Sequence, residues 1–151
     1  MTQASPLSSP PRRRATAAGL ALIFALLAQP GQAAEDLRTE LRLTPAERAE
    51  FLAEMRVMLG SVQGIVQGIA EGDREAIARF ARVSGNRMSR ATPAPVRAKL
   101  PPAFQDLGGP THLMFEELAI RAESDDMDQL SHQLARTLQQ CMACHAAFRL
   151  R

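Results

Sequence analysis

Apolar residues in this chain recur every three or four positions and nowhere alternate, a pattern that predicts helices and no sheet. The first helix is signalled at Thr44-Pro45-Ala46-Glu47, where a cap hydroxyl, a proline at the first helical position and a glutamate three residues after the cap form a capping box. Leu52, Met55, Leu59, Val62, Val66 and Ile69 then fall on one face, and the helix is expected to stop near Gly72. Asp73 caps a second helix with Ile77, Phe80, Ala81, Ser84 and Met88 on one side. Pro93, Pro95, Pro101 and Pro102 forbid a long helix between Ser89 and Phe104, leaving room for a turn or two from Val96 to Leu100. Gly108-Gly109-Pro110 predicts a further break, and Thr111 to Glu123 a third helix with Phe115, Leu118, Ala119 and Ala122 inward. Ser124, Asp125 and Asp126 cap a fourth helix that can run to the last residues. The expected fold is therefore all-α: an antiparallel up-down-up-down four-helix bundle over residues 34–151, with Glu35 to Leu43 an extended or frayed lead-in.

The first 33 residues do not fit that pattern. Arg12, Arg13 and Arg14 precede an apolar run from Ala15 to Ala28, and small residues follow at Gly31 and Ala33, which together predict a secretory signal peptide cleaved after Ala33 or Ala34. The run is about half to two-thirds of a bilayer span, so no membrane span is expected after cleavage. Removing the leader takes away three of 18 basic residues and none of the 16 acidic ones, so the remaining 118 residues carry a net charge of −1. Nothing in that balance has the electrostatic footprint of a nucleic-acid binder. Only five aromatic residues remain to fill the core: Phe51, Phe80, Phe104, Phe115 and Phe148.

The chemistry concentrates near the end, at Cys141-Met142-Ala143-Cys144-His145, which holds both cysteines of the chain. C-x-x-C-H is the spacing of covalent haem attachment: each thiol adds to a haem vinyl group and the adjacent imidazole reaches the iron. A redox dithiol would sit at a helix start rather than near a helix end, and a zinc site would need more ligands than His112 and His132 provide. On the fourth helix Met127, Leu130, Leu134, Leu138, Cys141, Cys144, His145 and Phe148 share one face, so one covalent haem c is expected against the core. An exported chain suits this chemistry, because thioether bonds form on an unfolded chain outside the cytoplasm; the expected location is the periplasm.

A C-terminal Cys-x-x-Cys-His followed by Ala146-Ala147-Phe148-Arg149, with three helices before it, resembles the class II c-type cytochromes, the cytochrome c prime group. The resemblance implies a four-helix bundle, covalent attachment through Cys141 and Cys144, His145 as the proximal iron ligand, and Arg149 flanking the proximal haem face. Members with a methionine from the first helix as sixth ligand look like electron carriers serving redox protein partners; five-coordinate members bind nitric oxide or carbon monoxide. Met55-Arg56 matches the methionine pattern better than Met58-Leu59, and Met55 lies mid-stripe with Met58 about 60° to one side. The expectation is a His145/Met55-ligated single-electron carrier with no enzymatic activity, and a five-coordinate gas binder is the alternative. A peroxidase-like enzyme would need a polar distal group that only His112 supplies.

Other positions have their own readings. His112 is a cap, a propionate partner, a surface group or, less simply, an iron ligand, while His132 falls with Gln129, Arg136 and Gln139 on a polar face. Arg48, two turns before Met55, pairs with a haem propionate or snorkels at the rim. Gly60, Gly64 and Gly68 form a stripe about 140° to 220° from Met55, facing away from the haem side. It is expected to meet a second subunit in a homodimer, solvent or the proline-rich linker.

Overall fold

In the computed structural model residues 35–151 are described; the expected signal peptide lies outside the described residues. Those residues are mostly helical, and the fold class is all-α. α1 (Pro45–Glu71) begins at the foreseen capping box: Thr44 Oγ1 accepts from Glu47 N and the Glu47 carboxylate accepts from Thr44 N. It ends at Gly72, whose φ of 69° lies in the left-handed region that glycine adopts without a Cβ penalty. Asp73 caps α2 (Arg74–Val83) by accepting from Ala76 N. α2 ends at Val83, so Met88, expected on the same helix, stands on a separate short helix, α3 (Asn86–Ala91); with α4 (Ala94–Arg97) in the proline-rich stretch it forms the crossover. α5 is Pro102–Arg121 and α6 is Met127–Ala147, the latter with a second capping box between Asp126 and Gln129.

α1 packs on α2, α2 on α5, α5 on α6, and α6 back on α1. Inside this ring Ile65, Ile77, Ala81, Phe115, Leu118, Ala119 and Leu130 are fully buried. A smaller cluster of Leu41, Leu100, Phe104 and Phe148 sits apart from it, with Phe104 against both Phe51 and Phe148 at centroid distances of 5.6 and 5.3 Å.

Four further expectations give way. The break at Gly108-Gly109-Pro110 does not occur: α5 runs through it, with Pro110 inside the helix. An interior proline loses one backbone hydrogen bond and costs about 3 kcal/mol. Against that, Phe104, Thr111, Phe115 and Leu118 are all buried, so packing on both sides of the proline holds the segment helical. Thr111 Oγ1 also donates to the Leu107 carbonyl at 2.8 Å.

Secondly, α6 stops at Ala147, and Phe148 is not on its stripe. The chain turns extended there, and β2 (Phe148–Arg149) pairs in parallel with β1 (Thr39–Glu40). Two residues per strand are too few to show an alternation in sequence. The lead-in is thus paired, with Leu41 N donating to Arg149 O at 3.0 Å.

Thirdly, the glycine stripe does not present a face to a second subunit or the linker. A Cβ on Gly64 would stand 2.3 Å from Phe80 Cγ, and one on Gly68 would stand 2.8 Å from Ile77 Cγ1, so both glycines let α2 approach α1 within the chain. Gly60 alone has open space. The homodimer expectation loses its basis. Fourthly, the buried edge of α1 is Met58, Ser61 and Ile65, turned from the expected stripe; Leu52, Leu59 and Val66 are exposed. Ser61 is satisfied there by the Ser84 hydroxyl, which donates at 2.8 Å.

Candidate functional site

A cleft of about 700 Å³ opens between α1, the crossover, α5 and the end of α6. Such a volume suits a cofactor-sized guest. Met55 comes to it from the first half of α1, and Cys141, Cys144 and His145 from the last two turns of α6. Arg149 lines it from β2. All five predicted site residues therefore face one cavity, although more than 85 positions separate Met55 from the cysteines.

Each arrives by a local cause. The Thr44 capping box fixes where α1 begins, which sets Met55 three turns into the helix and half-buried against the main core. Met58, one turn on, is buried to 8 % exposure and also reaches the cleft. Cys141 and Cys144 stand three residues apart on α6 and so share a face; both are half-buried free thiols, and Cys144 also packs on the Leu41–Phe148 cluster. His145 is exposed, and its carbonyl accepts from Arg38 at 3.2 Å, which ties the N-terminal segment over the motif.

Burial raises the pKa of both thiols, and for Cys144 the neighbouring Cys141 adds to the effect. Their position in the last turns of α6 offers no compensation, because a helix C-terminus disfavours anions. Protonated thiols are poor nucleophiles, the opposite of the thiolate through which a redox dithiol works. Among the described residues no group of three or more His, Cys, Asp or Glu converges on a metal-sized site, and a zinc centre of protein ligands has no cluster to form from.

The walls are largely apolar. Leu52, Leu59 and Leu138 line the cleft while 41, 69 and 37 % exposed, a concentration of wet apolar surface that marks a binding surface. An imidazole beside the two sulfurs and a thioether on the facing helix form a donor set that suits haem iron.

Further residues line the cleft. Glu54, next to Met55, is largely buried, and desolvation raises its pKa while His112 opposes the rise. His112 is neither a cap nor on the surface: it is 9 % exposed, and its Nδ1 lies 2.8 Å from the Ser84 carbonyl. A carbonyl only accepts, so Nδ1 carries a proton and Nε2 points toward Glu54 Oε1, 4.0 Å away. The signal available in sequence was the helical spacing of His112 with Phe115, which places the ring inward once α5 is continuous. Arg38, Arg90 and Arg97 also line the cleft, whereas Arg48 does not. His132 is exposed beside Gln129, Arg136 and Gln139, as expected. Compared with family models, with curated proteins and with solved structures, the chain matches none of them.

Proposed function

We propose that this chain is an exported c-type cytochrome with one covalent haem, resembling the class II group, and that it carries single electrons between redox proteins in the periplasm. The observation that carries the reading is that Met55 of α1 lines the same cleft as Cys141, Cys144 and His145 of α6. In this reading the ring of α1, α2, α5 and α6 is an antiparallel four-helix bundle with its cofactor at one end. Cys141 and Cys144 would hold the group covalently, and His145 and Met55 would be its iron ligands. When bound, the haem supplies one-electron chemistry at its iron. The chain holds the imidazole and the thioether on separate helices and excludes water with Leu52, Leu59 and Leu138, and a thioether donor would favour the reduced state. Among the described residues no helix is long and apolar enough to cross a membrane.

The test is optical. The ferric protein is expected to be low-spin, with the near-infrared band of methionine coordination lost in Met55→Ala and kept in Met58→Ala. A high-spin wild-type spectrum would overturn methionine ligation in favour of the five-coordinate gas binder, and a purified periplasmic protein without covalent haem would overturn the whole reading.

A further inference from the structure

The cleft holds four cations, Arg38, Arg90, Arg97 and Arg149, against a single carboxylate, Glu54. The residues after the leader carry a net charge of −1, so this excess is local. The four arginines do not stand together. Arg149 follows α6 directly and Arg38 hydrogen-bonds the His145 carbonyl, so both belong to the side that carries the cysteines. Arg90 and Arg97 belong to the crossover, on α3 and α4.

We infer that Arg90 and Arg97 form the clamp for the two carboxylates of the bound group; this rests on the haem reading above. The argument is one of molecular shape. A haem bears its two vinyl groups on adjacent pyrroles and its two propionates on the opposite pair. If the vinyl edge is held by Cys141 and Cys144, the propionate edge points away from α6. Of the other walls, α1 contributes apolar side chains and Glu54, which would repel a carboxylate, and α5 contributes no arginine or lysine. The crossover supplies Arg90 and Arg97, with the Ser89 and Thr92 hydroxyls in the same lining, and it meets the cluster that Cys144 packs on only through Leu100 at its far end.

The crossover is also built to hold an arginine still. Pro93 and Pro95 restrict its backbone, and Leu100 is buried at its far end. Arg97 Nη2 donates to the Thr92 carbonyl at 3.0 Å, and the Gln105 amide donates to the Leu100 carbonyl at 2.9 Å and to that of Arg97 at 3.4 Å. A guanidinium held on one edge keeps its other N–H groups for a carboxylate. Lys99 ties the same segment to α1 through Glu47. On this account the proline-rich stretch is a positioning arm, and Arg48, which does not line the cleft, has no part in it.

Resonance Raman spectra of the haem-loaded protein test the assignment, because propionate bending bands respond to hydrogen bonding. In Arg90→Gln/Arg97→Gln the bands are expected to shift and the midpoint potential to fall, since loss of nearby positive charge favours the oxidised haem. Lysine at both positions is expected to restore the potential but not the bands, because an ammonium cannot reproduce a bidentate contact. Arg38→Gln and Arg48→Gln should leave the bands in place. Unmoved bands in the double glutamine variant, or bands that move in Arg38→Gln instead, would overturn the clamp while leaving the haem reading intact. Both arginines are exposed, so matched helical content and melting temperature serve as the folding check.

Discussion

Where α1 crosses α2 and α5 faces α6, Ile65, Ile77, Leu118 and Leu130 have no exposed surface, whereas around the cleft Leu52, Leu59 and Leu138 keep 41, 69 and 37 % of theirs. The same helices build both regions. In the first, Gly64 lets the Phe80 ring lie on the α1 backbone and the protein completes its own core. In the second, the crossover takes the place of a long helix and the walls stay apart, joined at the base by the Leu41, Leu100, Phe104 and Phe148 cluster. The contrast separates what stabilises the chain by itself from what it keeps for a guest.

Substitutions can break that contrast. Leu118→Ala should cost about 2–5 kcal/mol in urea unfolding, as for a fully buried leucine. Leu59→Ala should cost less than about 0.5 kcal/mol in protein expressed without haem and distinctly more in the haem-loaded form; equal costs in both forms would remove the distinction. Gly64→Leu should lose about 1–3 kcal/mol by forcing Phe80 off α1. Gly60→Ala, with open space at its Cβ, should instead gain up to about 1 kcal/mol from helix propensity. A loss at Gly60 accompanied by a change in sedimentation would revive an intersubunit role for that end of the stripe.

The smallest effect concerns pH. Hydrogen bonds from Lys99 at 2.6 and 2.8 Å, and from the Thr44 backbone, lower the Glu47 pKa from 4.5 to about 2. A lowered carboxylate pKa stabilises the folded state above the unfolded value, and the contribution is lost as pH falls toward the folded one. The stability difference between wild type and Glu47→Gln should therefore be constant above about 4.5 and disappear between there and about 2. A difference that persisted at the acid end would show that the tie between α1 and the crossover is not ionic.

Local signals were legible from sequence wherever the physics is local. The Thr44 box, the Asp73 cap, the Gly72 stop and the Asp126 start each depend on a few neighbouring residues, and each stands where its motif lies. The shared face of Cys141 and Cys144 follows from helical pitch alone. Signals that compete with packing were not legible. Gly108-Gly109-Pro110 reads as a break because propensity disfavours helix there, yet Phe104 and Phe115 on either side are buried and keep α5 whole. The glycine stripe was readable as a close approach, but not the surface that approaches it.

By itself, then, the sequence determined where the first, second and last long helices start, where the first stops, and the C-x-x-C-H motif, because capping, pitch and thiol spacing act over a few residues. Only the tertiary structure decided that Met55 and the two thiols share one cleft, that Gly64 belongs to Phe80, that His112 turns inward toward Glu54, and that Arg90 and Arg97 line the cleft from the crossover. Those facts depend on how helices distant in sequence rotate against one another, and that rotation is set by the summed burial of many side chains rather than by any one motif.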